Sequence, residues 1–190
     1  MDGDDDWRLT YFSNEFNTVL VPASYWQAGE KIETEIWLEA VHEAFQFFVE
    51  CHVDMLDFIS MAELAADLKK LQPQLSALVF LDETQQMPVS VKKQFYSLAD
   101  SLALDVFGLG DEAGPVAGVS RQCLWREGSA CSSGFAVIEN DLSDLRLARK
   151  IVEDFVSHSK QGAETIIVDH PQLQASNLSK FRSMLEIMGY

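Results

Sequence analysis

Apolar residues along this chain fall in two rhythms. Short runs of β-branched and aromatic residues alternate with longer stretches in which apolar side chains recur every three or four positions. The first rhythm marks strands and the second marks one face of a helix. Thr18 to Val21, closed by Pro22, predicts a strand, while Trp7 to Phe12 suits either a short strand or part of an acidic tail. From Glu33 to about Cys51 the apolar positions Trp37, Ala40, Val41, Ala44, Phe45, Phe48 and Cys51 predict one amphipathic helix. Val53 to Ile59 alternates as a strand does. Ser60-Met61-Ala62-Glu63 then matches a capping box, and Leu64, Leu68 and Leu71 continue a helical stripe until Pro73 stops it.

Ala77-Leu78-Val79-Phe80-Leu81 is apolar throughout, as suits a strand covered on both faces. Pro88 stands where a first-turn proline belongs, and Val91, Phe95, Leu98 and Leu102 predict a further helix. Leu104 to Phe107 predicts a strand. Gly108 to Gly118 carries four glycines and Pro115 and predicts a loop. Val119 to Arg126 and Gly134 to Glu139 suit two strands, open to pairing as an antiparallel hairpin across 119–139. Asp141 can cap a helix with stripe Leu145, Ala148, Val152 and Phe155. Thr165 to Val168 predicts a strand, and Ser176 can cap a last helix bearing Leu178, Phe181, Leu185 and Met188.

Strands and helices therefore alternate, which implies right-handed βαβ crossovers and a mainly parallel sheet. The expectation is a single α/β domain over 1–190, a three-layer sandwich of flavodoxin or Rossmann type, with a flexible acidic tail at 1–6.

Charge adds a second feature. The formal net charge is −16. Residues 1–67 hold fifteen acidic and two basic side chains, and residues 68–190 hold fifteen and twelve. So acidic a chain is poorly suited to bind nucleic-acid phosphates directly, which calls for clustered Lys and Arg. No apolar run approaches the roughly 18 residues of a membrane span. The N-terminal Met1-Asp2-Gly3-Asp4-Asp5-Asp6 lacks the basic and apolar regions of a secretory signal. Three cysteines without CxxC spacing argue against a disulfide scaffold and against zinc. A reduced, cytoplasmic setting is the expectation.

Candidate chemistry is sparse. Gly108-Leu109-Gly110 with Gly114 misses the G-x-G-x-x-G spacing by one residue, and no Walker motif occurs. Cys131 lies in a small polar segment that lacks the strand-before, helix-after context of a nucleophile elbow, so all three cysteines are expected to be dispensable. Asp169-His170 follows a predicted strand, the usual place for an α/β site, but a plain helix entry, with the carboxylate near the helix N-terminus, is the preferred reading. Asp82, Gly108, Gly110, Asp169 and His170 are the residues a strand-edge pocket would use. No catalytic, metal or cofactor residues are assigned. The predicted helix at 33–51 carries Glu35, Glu39 and Glu43 at i, i+4 spacing, with Glu50 a heptad past Glu43 and no Lys or Arg within it. Such a row is either a solvated face or a docking face for a basic protein partner.

Two family resemblances accompany these features. Residues 53–107, with Leu71-Gln72-Pro73 and Leu78-Val79-Phe80-Leu81-Asp82, resemble the middle of a response-regulator receiver domain, in which Asp82 would match the phospho-acceptor. The acidic pair that holds Mg²⁺ in receivers is replaced by Pro22-Ala23-Ser24, so the likeness implies a pseudo-receiver without phosphoryl transfer. Lys93-Gln94-Phe95-Tyr96-Ser97-Leu98-Ala99 with Asp105-Val106-Phe107-Gly108, and Ala136-Val137-Ile138-Glu139-Asn140-Asp141, are similar to the DICT-type bacterial sensory domain. Both resemblances imply signalling. The expected function is a non-enzymatic regulatory or interaction domain whose acidic face docks a basic partner. The alternatives are a Rossmann-like enzyme with a strand-edge site, and an acidic immunity, inhibitor or nucleic-acid-mimic protein.

Overall fold

The computed structural model describes residues 6–27, 34–81, 87–108, 121–129, 131–159 and 164–190. Its helices are α1 (Asp6–Glu15), α2 (Thr34–Ala40), α3 (Met61–Leu71), α4 (Val89–Ser101), α5 (Leu145–His158) and α6 (Ala175–Met188). Its strands are β1 (Thr18–Val21), β2 (Gln46–Glu50), β3 (Leu75–Phe80), β4 (Asp105–Gly108), β5 (Arg121–Cys123), β6 (Phe135–Ile138) and β7 (Thr165–Val168). The chain divides into two compact units, Met1–Gln122 and Cys123–Tyr190. The fold class is α/β with parallel sheets, as the alternating pattern predicts.

In the first unit the sheet order is β1-β2-β3-β4-β5. Thr18 pairs with Gln46, Phe47 with Leu75 and Ala77 with Asp105, all in parallel and each 28 residues apart. This order never reverses, unlike flavodoxin or Rossmann sheets, which have a switch point. Right-handed crossovers in such an order lay their helices on one face. Accordingly Val21, Phe47, Val49, Leu78 and Val106 share one core with Leu64, Leu68, Leu71, Phe95 and Leu98. Strand alternation turns Phe48, Ala77, Val79 and Phe107 to the other face, where all four are also buried. A sheet buried on both faces is the condition of a central layer in a three-layer α/β fold.

The main departure from expectation lies at 33–51. The helix stops at Ala40, and Gln46–Glu50 is a strand. Phe45 and Phe48 satisfy a 3–4 spacing, but Phe47-Phe48-Val49 is also a β-rich run able to fill both faces of a central strand. Tertiary burial decides for the strand. Phe45 packs edge-on to Phe47 at 5.2 Å, and Trp37 stacks on Phe47 at 5.9 Å, joining α2 to β2.

Of four smaller differences, the first two have a cause in local hydrogen bonding. Residues 53–57 form a 3-10 turn, not a strand, because the His52 ring accepts the Asp54 N–H and so starts a turn. Asp144, not Asp141, caps α5, accepting from the Arg146 and Leu147 amides. Ser176 lies inside α6 and does not cap it; the cap position is Gln174, with no side-chain cap bond. Residues 6–15 are helical, neither strand nor tail. The Ser60–Glu63 capping box forms as expected: Glu63 N–H donates to Ser60 Oγ, and the Glu63 carboxylate accepts from Ser60 N–H at 3.0 Å.

In the second unit β6 and β7 pair in parallel, from Phe135 with Thr165 to Ile138 with Val168. Ala148, Ile151, Val152 and Phe155 of α5 and Phe181 of α6 fill its core with Trp125. Among the described residues, no antiparallel hairpin forms across 119–139. β5 neighbours β4, and the one bridge towards β6, Trp125 to Ala136, is parallel. The odd cysteine count also misleads, because Cys123 and Cys131 are joined as a disulfide. No helix among the described residues is long and apolar enough to cross a membrane.

Candidate functional site

Glu35 and Glu39 lie on α2, and both are exposed. Glu43 follows in the turn before β2, also exposed. Lys70 Nζ stands 3.8 Å from Glu35, beyond hydrogen-bond range, and 3.6 Å from Asp67. Glu39 and Glu43 meet no cation among the described residues. Glu50 belongs elsewhere. As the last residue of β2 it spends its carboxylate on the Ala23 N–H, 2.8 Å away, and so does not continue the helical row.

Of the expected strand-edge residues, Asp82 and Gly110 lie outside the described residues. Gly108 is an ordinary residue of β4. A Cβ added there would meet Phe80 Cβ at 3.7 Å, a normal contact, so nothing in the packing demands glycine. Asp169 and His170 belong to the second unit, at the carboxyl end of β7. Asp169 N–H donates to Ile138 O, and His170 Nδ1 accepts the Gln172 N–H. That bond places the imidazole proton of neutral His170 on Nε2.

The carboxyl edge of β6 and β7 gathers further polar groups that sequence reasoning left out. Arg126 Nη1 donates to Glu139 Oε1 at 2.6 Å. Asn177 Nδ2 donates to Asp141 O at 3.1 Å, tying the start of α6 to this loop. Asp141 Oδ1 accepts both the N–H and the Oγ–H of Ser143, at 2.9 and 2.7 Å. Those two bonds, and then the nearby His170, hold its carboxyl below the usual carboxylate range. Leu142, between them, is buried at φ +58°, a strained backbone for a branched side chain. The adjacent Asn140 Oδ1 accepts its N–H at 2.8 Å. The one available signal was position, since polar residues just past a predicted strand end are those a parallel sheet brings together.

Among the described residues no three His, Cys, Asp or Glu are grouped to share a metal ion. The carboxyl edge of β6 and β7 presents polar side chains, among them Arg126, Asp141 and His170. The Ser143 hydroxyl in this loop donates to Asp141, and that bond makes the carboxylate less basic. No family model, curated protein or solved structure matches the chain.

Proposed function

We propose that this chain is a non-enzymatic regulatory or interaction domain that docks a basic protein partner through Glu35, Glu39 and Glu43. The supporting observation is that these carboxylates are exposed and that Glu39 and Glu43 meet no cation among the described residues, on a chain whose first 67 residues carry a net −13. Fixed charge of one sign steers an oppositely charged partner and raises its association rate. The test is association with a lysine-rich peptide at about 50 and 200 mM salt, where screening differs. The Glu35→Gln, Glu39→Gln, Glu43→Gln triple variant is expected to associate more slowly at low salt and to lose most of the salt dependence. Kinetics equal to those of the unaltered chain would refute the docking role.

A second reading, a small-ligand site at the carboxyl edge of β6 and β7, is favoured by one observation. Asp141, His170, Asn177 and the Arg126–Glu139 pair are held there by named hydrogen bonds in place of free rotation.

A further inference from the structure

The segment from Cys123 to Cys131 delivers one residue into the second unit's core. Its ends are joined by the disulfide, with Cα atoms 6.2 Å apart. At its tip Ser129 N–H donates to Arg126 O at 2.9 Å, and Gly128 takes φ +78°, a conformation that favours glycine. Trp125 lies between tip and strand. Its N–H donates to Phe135 O and its carbonyl accepts from Val137 N–H, each at 3.0 Å. Its ring is fully buried, 5.3 Å from Phe155 between centroids.

This seat is incompletely satisfied. The indole Nε1 is buried and has no hydrogen-bond partner among the described residues. Two main-chain bonds and its packing among the apolar side chains of α5, α6 and β6 hold Trp125 against an unmet donor, inside a loop whose ends the disulfide fixes. Both cysteines of the pair are half-buried, so neither is sealed in the core as Cys51 is. The third, Cys51, is fully buried with its thiol proton held by desolvation, so it is not available as an exchanging thiolate.

We propose that Cys123–Cys131 is a reversible thiol–disulfide exchange site that governs how firmly Trp125 is held on β6, with glutathione or a protein dithiol as co-reactant. A donor thiolate bonds to one sulfur, the S–S bond breaks, and the other cysteine leaves as a thiolate and takes up a proton. A second donor thiol then displaces the mixed disulfide. Two cysteines are reduced and two donor thiols are oxidised to a disulfide.

The experiment uses the full chain without denaturant, in dithiothreitol and in glutathione buffers. It reads free thiols together with amide exchange at Trp125 and Val137. The Thr165 and Asp169 amides, which donate to Gly134 O and Ile138 O, are the internal references. Reduction is expected to free two thiols and to speed exchange at Trp125 and Val137 by about tenfold or more, while Thr165 and Asp169 keep their protection. Reoxidation should restore the slow rates. A Cys123→Ser, Cys131→Ser double variant should exchange fast and ignore reductant; if it does not fold, the reduced unaltered chain still decides. Three results would overturn the proposal: a disulfide that opens only in denaturant, opening without faster exchange at Val137, or loss of protection across all of β6 and β7.

Discussion

The Glu50 carboxylate accepts the Ala23 N–H at 2.8 Å, so the end of β2 caps the turn that follows β1. Ala23 is buried, and removing the acceptor strands its N–H. Glu50→Ala is expected to cost roughly 1–3 kcal/mol in urea unfolding, the range for an orphaned buried donor. Glu50→Gln, which keeps an accepting oxygen, should cost less and leave binding of a lysine-rich peptide unaltered. A Glu50→Ala variant as stable as the parent would show that water reaches this N–H.

Trp125 gives an unequal pair of substitutions. Trp125→Ala should cost about 3–5 kcal/mol, the price of emptying a large buried site. Trp125→Phe keeps the ring against Phe155 and deletes the unpartnered N–H, so relief of that penalty offsets part of the lost volume. Thermal unfolding of both variants checks the order. A Phe variant as damaged as the Ala variant would mean that the indole N–H is satisfied in solution.

The capping box at α3 makes stability depend on acid. Bonds from Ser60, side chain first and then backbone, lower the Glu63 carboxyl below its usual value. A carboxyl lowered on folding adds stability that is complete above its unfolded value and is lost as pH falls through the folded one. Ser60→Ala is therefore expected to cost roughly 0.5–2 kcal/mol near neutral pH, as loss of an N-cap does. The gap from the parent should narrow at the acidic end of the carboxylate range. Unfolding at a series of pH values measures this, and a gap constant down to strong acid would refute it.

At Asp141 the two Ser143 bonds are the larger cause of the lowered carboxyl and His170 the smaller. Carbon-13 titration should find the carboxyl raised more by Ser143→Ala than by His170→Ala. The reverse ranking would show that the imidazole dominates this loop.

Local signals were legible in the sequence, and choices made by the tertiary fold were not. Ser60-x-x-Glu63 states its own cap because both partners lie within one turn. The Ala148, Val152 and Phe155 stripe states its buried face because nothing competes with the helical period. Phe45, Phe47, Phe48 and Val49 fit a helix and a central strand equally, and only the neighbouring β1 and β3 decide between them. Asp141 is the expected cap of α5, but it accepts from Ser143 within its own loop, and Asp144 caps the helix. At the β6–β7 edge, Asp169 and His170 were visible from their place after a strand, whereas Arg126 and Asn177 arrive from other elements and carry no local mark. The Cys123–Cys131 pairing was hidden because an odd count does not say which cysteine stands aside.

The step of 28 to 29 residues from each strand to the next, β1 to β4, bears on how the first unit assembles. Each strand pairs with the one made just before it, so no gap in the sheet waits for a later segment. Each step closes a chain loop of nearly equal length and meets nearly the same entropic barrier, and no step closes a loop across the whole unit. Contacts of this modest sequence separation favour faster folding than long-range strand insertion does. On the ribosome, where N-terminal segments emerge first, the sheet can therefore grow in the order of synthesis, β1 with β2, then β3, then β4. The last strand added is at each moment the only growing edge, and the next strand to leave the tunnel covers it.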